Sequence, residues 1–411
     1  MSKSNETTPN VPTLRFKEYV NPWDQKSFNE TFDILTNNTL SRAELNYEDG
    51  EYKNIHYGDV LIKFPAHIDT SSADVPYIND ENASKKFDSA LLHNGDIVFA
   101  DTAEDYTVGK ATEIEITAEC KVVSGLHTIP CRPKMRFSPR YLGYFVNSPK
   151  YHNQLIPYIQ GVKVSSISKT LIKNTTISYP SIKEQAKIAS FLSCLDEKIE
   201  VQNKIISKYE TLIKGLSCDY FSKQPNHIAK LKDLIIKGKA GGTPSSTIAE
   251  YYNGNIPFLS ISDMTRQGKY VEFTEKHISE NGLANSSAWI VPSNSLILSM
   301  YASVGLVCIN KVPLATSQAM FSMVLKDCNM LDYIYYYLNF FRETQIHRLL
   351  ETGTQSNINA DTVRDIEIPF YSNIFVFVKT LQAIENRLNN EKDMLSRLMD
   401  LKTYLLSSLF I

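Results

Sequence analysis

SIKEQAKIASFLSCLDEKIEVQNKIISKYETLIKGLSCDYF, Ser181 to Phe221, is the stretch whose reading decides the fold. It has no proline and one glycine, Gly215, and its apolar residues return every seven positions. With Leu192, Ile199, Ile206, Ile213 and Tyr220 at a, the d positions are Ile188, Leu195, Gln202, Tyr209 and Leu216. A seam kept over four heptads buries one stripe of a long helix against a second helix. Pro180 precedes it, and Ser181 with Glu184 reads as a capping box, in which side chains and backbone N–H groups satisfy each other.

The partner is at the far end of the chain. In SNIFVFVKTLQAIENRLNNEKDMLSRLMDLKTYLLSSLF, Ser372 to Phe410, Leu381, Leu388, Leu395, Lys402 and Leu409 fall at a. Phe377, Ile384, Glu391, Leu398 and Leu405 fall at d. An offset of 189 carries Phe221 onto Phe410 and brings every a and d position onto its counterpart, polar Gln202 onto polar Glu391 included. A register shared together with its defect points to one duplicated unit. Forty residues at ~1.5 Å rise span ~60 Å, more than a small domain, so the two helices are expected to pack on each other. A polar pair at one layer, Gln202 with Glu391, is expected to fix their register.

Outward from the helices, GVKVSSIS (Gly161–Ser168) precedes the first and GTQSNIN (Gly353–Asn359) the second. Short strand-like runs follow, Thr176–Tyr179 and Ile366–Phe370, and aromatic, helix-prone stretches lie upstream, Arg140–Ile156 and Leu331–Leu349. Inside the remaining parts, β-prone runs such as Gly95–Phe99 and Asn294–Leu298 alternate with Gly, Asn and Asp turns. The expected fold is α+β: two mixed α/β domains, residues 1–180 and 222–371, and two long antiparallel coiled-coil helices, 181–221 and 372–411, with a linker near Ser222–Ala229 and a pseudo-twofold between the halves.

Composition narrows the function classes. At 411 residues, 43% hydrophobic and 21% charged, the chain has the make-up of a folded, soluble protein. It lacks an apolar run long enough to span a bilayer, and its polar start does not resemble a secretory leader, so a cytoplasmic location is expected. The six cysteines are scattered with no Cys-x-x-Cys pair, which argues for reduced thiols over a zinc site or disulfide framework. A formal net charge of −2 does not advertise nucleic acid; a binder of this balance gathers its cations on one face or shares phosphate contacts with a partner.

Several motifs then carry a resemblance. The second half contains GGTPS (Gly241–Ser245), YNGNIPFLSISD (Tyr252–Asp263), SMYASVG (Ser299–Gly305) and ATSQA (Ala315–Ala319). The first contains LHNGDIVFADTAED (Leu92–Asp105), VGKA (Val108–Ala111) and GLHTIPCRP (Gly125–Pro133), and its helix opens PSIKEQAKI with LDEKI after it. The layout and these motifs resemble the specificity subunit of type I restriction–modification systems over nearly the whole chain. The C-terminal helix departs from the pattern, reading Ser372 to Lys379 where Glu-Gln is expected. The resemblance implies two target-recognition domains, each reading half of an asymmetric bipartite site on double-stranded DNA. It implies helices that act as a ruler and dock two modification (adenine methyltransferase) subunits, with restriction subunits joining them, and chemistry left to those partners. The alternative is a coiled-coil scaffold with no DNA role.

The residues themselves call for no cofactor and no catalytic centre. GKAGGT at Gly238–Thr243 lacks the spacing of a phosphate loop, and neither a methylase Asn/Asp-Pro-Pro-Tyr nor a Gly-x-Gly-x-x-Gly is present. Asp101, Glu104 and Asp105 read as a capped turn before a Mg²⁺ site, and His127 as structural. For DNA, small residues beside a cation let backbone N–H groups approach phosphate. Lys237, Lys239, Gly241, Gly242, Thr243 and Ser245 form one such set; Lys163, Ser165 and Ser166 match Thr354, Gln355 and Asn357 as another. Base readout needs exposed Arg, Lys, Gln or Asn, and Arg266, Gln267 and Lys269 come first, then Arg42, Tyr301 and Gln318.

Overall fold

The computed structural model describes residues 10–71, 74–79, 85–161, 163–349 and 357–411. The chain divides into two compact units, Met1–Asn203 with Asp393–Ile411, and Lys204–Lys392. Each long helix therefore contributes one part to each unit.

The first unit is built on the strand Ile97–Ala100, whose four side chains are all buried, as an apolar run covered on both faces requires. Antiparallel neighbours flank it, Thr128–Pro133 on one side and Ala111–Glu115 on the other. Phe32–Ile34 and His67–Asp69 complete the five strands, the last of them parallel to its neighbour. A second sheet sets Lys121–Ser124 parallel to Tyr52–Ile55 and adds Tyr77–Ile78 and Leu45–Asn46. A ribbon of Asp24–Ser27 with Thr176–Tyr179 leads into the first long helix.

The second unit repeats this pattern. Leu296–Ser299 is again fully buried, between antiparallel Met320–Leu325 and Val307–Asn310, with Ile235–Ala240 outside one and Tyr270–Val271 parallel to the other. Its second sheet sets Ala315–Thr316 parallel to Tyr252–Leu259 and Lys276–Ile278 antiparallel. The ribbon is His227–Lys230 with Glu367–Phe370. The duplication thus embraces the five-stranded sheet, the second sheet and the ribbon of each unit, although the sequence shows it clearly only in the helices.

The long helices are Ile182–Phe221 and Ile374–Ser408. In the first unit Ile188, Leu192 and Leu195 share a core with Leu405, Leu409 and Phe410, and Ile199 and Leu398 pack at its edge. In the second, Glu210 pairs with Lys392 at 2.8 Å while Tyr220 stacks on Phe377 at 3.8 Å, so the helices run antiparallel. Gln202, Ile206, Leu381 and Leu388 are buried, and Ile384, Glu391 and Leu395 half-buried. The anomalous a residue Lys402 has a purpose: its ammonium lies 2.5 Å from Asp196.

Two details depart from the sequence reading. The Ser181 hydroxyl accepts from the Glu184 amide at 3.4 Å, but the Glu184 carboxylate turns to Arg15 at 2.8 Å, so only half the capping box forms. The linker ends earlier than Ala229, because His227–Lys230 is taken up as a strand.

Candidate nucleic-acid interface

The central strand of each unit ends in the same three-bond frame. In the second unit the Met300 amide donates to the Ala319 carbonyl (2.8 Å), the Met300 carbonyl accepts from Ile358 (3.1 Å), and Gly305 donates to Ser299 (2.8 Å). In the first, Asp101 donates to His127 (3.0 Å) and accepts from Ile167 (2.9 Å), and Gly109 donates to Ala100 (2.9 Å). These bonds gather segments far apart in sequence into one loop cluster per unit.

What the frames carry differs. In the second unit Ala302 and Ser303 turn through φ of 30° and 55°, and the Ser299 hydroxyl donates to the Tyr301 and Ala302 carbonyls, leaving the Tyr301 ring 42% exposed. Exposed Gln318 lies on the neighbouring connection, and its Oε1 accepts from the Thr243 hydroxyl at 2.5 Å. Asn357 is half-buried beside Ile358; Thr354 and Gln355 lie outside the described residues. In the first unit His127, at φ 54°, holds its Nδ1 3.3 Å from Asp101 and 3.3 Å from the Thr102 hydroxyl. Ser165 and Ser166 pair with Ala103 and Thr102, and Lys163 is exposed with no partner among the described residues. In the Asp101 group, the Asp105 carboxylate accepts from the Thr107 amide at 2.8 Å, and among the described residues no three His, Cys, Asp or Glu stand close enough to hold an ion.

Beside the second cluster lies a basic and aromatic strip. Lys237 sits 4.0 Å over the Trp289 ring, Lys239 donates to the Ser287 carbonyl at 3.3 Å, and both lysines are exposed. Ser245 is exposed and shares a 2.8 Å hydrogen bond with Thr247. Cations on open strands of this kind suit phosphate.

Other residues singled out from sequence serve the fold. Gly241 and Gly242 are buried, and their amides already donate to Met320 (3.1 Å) and Thr316 (2.9 Å), which leaves no N–H for a phosphate. Their small size answers close packing instead: a Cβ on Gly241 would sit 2.0 Å from the Thr316 carbonyl, and one on Gly242 2.3 Å from the Ser287 hydroxyl. Arg42 spends its fork on buried Asp59 (2.8 and 3.0 Å). Arg266 is held by Asp263 (3.0 Å) and Glu275, over the Phe273 ring. Gln267 staples the backbone of Glu272 and Phe273. Lys269, only 10% exposed, lies among Asp332 (2.8 Å), Glu385 (2.7 Å) and the Tyr336 hydroxyl (2.7 Å). Conversely, sequence reasoning took His127 as structural and did not single out Trp289. The frame that equates His127 with Ala319 is the signal that reveals the first.

Two topologically matched domains, each presenting its own loop cluster, define a duplicated two-domain protein. The chain belongs to the type I restriction modification DNA specificity family, whose domain matches residues 21–211 and again 225–392. It is similar to the MjaIX specificity subunit of a type I restriction enzyme from Methanocaldococcus jannaschii, 30% identical over 147 residues, 35% of this chain and 34% of that one. The HindI specificity subunit from Haemophilus influenzae is 32% identical over 180 residues, 42% of this chain and 38% of that one. The match thus spans between a third and two fifths of the length of these curated relatives. In fold the chain is similar to the S subunit of a type I restriction–modification system from M. genitalium, with TM-score 0.56 at 14% identity, covering 98% of this chain and 99% of that one. Among the described residues no helix is long and apolar enough to cross a membrane.

Proposed function

We propose that the chain is the DNA-specificity subunit of a type I restriction–modification complex, and that each unit reads one half of a bipartite double-stranded target. The observation that carries this reading is the repeated three-bond frame with unlike side chains on it, Tyr301, Gln318 and Thr243 in one unit and His127, Asp101 and Thr102 in the other. A conserved frame holds a reader in place, and different readers make the two half-sites unlike. Gln318 offers an amide suited to a base edge in the major groove, and Lys237, Lys239 and Lys163 offer cations to flanking phosphates. The long helices fix the separation of the readers and dock two modification subunits, with restriction subunits completing the nuclease. Bond making and breaking belong to those partners; this chain binds and orients. Support for assembly comes from a structure of similar fold (TM-score 0.57) that stems from work on complex assembly of the type I R-M system.

The test is DNA binding across salt concentrations, followed by protection mapping. Log affinity is expected to fall linearly with log salt, and the footprint to show two short protected patches around an unread spacer. Binding that ignores salt, or one continuous palindromic footprint, overturns the reading and favours a scaffold.

A further inference from the structure

Each reading unit is fastened to its long helix through a polar node, and the two nodes are built alike. On the first helix Ser193 and Asp196, one turn apart, meet the Tyr144 hydroxyl at 3.3 and 2.8 Å, with the His67 imidazole 3.4 Å from the same hydroxyl. On the second, Glu385 accepts from Tyr336 at 2.5 Å and from Lys269 at 2.7 Å, while Gln382, one turn earlier, donates to Asp332 at 2.9 Å. Asp196 and Glu385 are separated by the same offset of 189 that superposes the helices, and both follow a d residue, Leu195 and Ile384. His67 and Lys269 stand at the corresponding edge strand of each five-stranded sheet, the strand that runs parallel to its neighbour. The cation facing each carboxylate comes from a different place, Lys402 of the second helix in the first unit and Lys269 of the sheet in the second.

Apolar packing alone tolerates sliding and rotation of a domain along a helix, because it has no direction. A phenol hydroxyl donating to one carboxylate at one point has both direction and reach, and in a half-dry setting it holds that geometry. We propose that Tyr144 with Asp196, and Tyr336 with Glu385, are positioning residues that set the phase of each reading domain on its helix, and thereby the spacer length the protein accepts. The proposal rests on the bipartite reading above.

The test uses the full chain with its methyltransferase partner and competing duplexes that share both half-sites but carry the native spacer or one base pair more or less. The wild type is expected to disfavour the altered spacers by about tenfold, in the range of a mismatched base pair. Tyr336→Phe with Glu385→Gln, and separately Tyr144→Phe with Asp196→Asn, are expected to cut that ratio at least threefold while the penalty for a mismatch inside a half-site stays unchanged. An unchanged spacer ratio in both variants overturns the proposal. So does a loss of folding in both, which makes the nodes general supports. A wild type without any bipartite preference sinks the functional reading instead, so the two failures are distinguishable.

Discussion

Replacing Lys269 by Met separates a base reader from a structural cation. The Lys269 side chain is 10% exposed, and those of Asp332 and Glu385, whose carboxylates its ammonium touches at 2.8 and 2.7 Å, are 22% and 20% exposed. Removing one partner of a buried pair costs about 3–5 kcal/mol, because a charge is left without a counterion. Partial solvent access at both carboxylates places this case at the low end, about 3 kcal/mol. The second unit runs from Lys204 to Lys392, a size for which 1 kcal/mol moves the midpoint by about 2–4 °C, so a fall of about 6–12 °C follows. The chain has two tryptophans, Trp23 in the first unit and Trp289 in the second. The Trp23 indole N–H is buried with no partner among the described residues, so Trp23→Phe leaves Trp289 as a fluorescent reporter of the second unit alone. In that background Lys269→Met lowers the melting midpoint, and adding Glu385→Gln recovers about 1 kcal/mol by removing one stranded charge. A midpoint within 1 °C of the parent, with DNA affinity lost, refutes the assignment and restores Lys269 to the reading surface.

Four further outcomes follow from the same structure. Gly241→Ala drives a methyl against the Thr316 carbonyl and is expected to cost at least about 1–3 kcal/mol of stability, read by the same fluorescence melt; normal stability with weakened DNA binding contradicts it. Lys237→Met is expected to weaken binding to all sequences alike and to lower the salt slope by about one, measured by anisotropy titration. Leu192→Ala, at a side chain with no exposure in the helix-pair core, is expected to cost about 2–5 kcal/mol in chemical denaturation of the first unit. Burial pushes the Glu113 carboxyl up to about 7, against the opposing pull of the Gly143 and Arg140 amides. A raised acid binds its proton more tightly in the folded state, so its contribution is complete below the ordinary carboxyl range and lost as pH rises through 7. The first unit is therefore expected to gain stability from pH 8 to pH 5.5, and Glu113→Gln to flatten that gain in pH-resolved melts.

Legibility in the sequence followed the physics of each element. The helices were readable because a heptad seam leaves a fixed period, and that period survives duplication at a constant offset of 189. The sheets were not, because the loops between them differ in length. Ile97 corresponds to Leu296 and Thr128 to Met320, so the offset slides from 199 to 192 before the helix restores 189. Strands buried on both faces add no alternation to guide an alignment. The Gly241-Gly242 pair misled because glycine permits close approach of backbone to backbone as readily as to phosphate. The run Met264–Lys269 looks like an exposed polar turn, yet a short parallel strand at Tyr270–Val271 draws it toward the long helix, where Lys269 finds Glu385. Tyr301, Gln318 and Thr243 were readable as candidates because their polar loops sit beside the turn signals that end buried strands.

The central claim is that two different readers stand on two copies of one frame. Selection of bound duplexes from a random library by the intact complex tests it most directly, for the wild type and for Thr243→Val with Gln318→Ala. The wild type is predicted to select two short, unlike sequences at fixed spacing, and the variant to relax one of them while the other stays intact. A single palindromic sequence, or equal relaxation of both halves, contradicts the account.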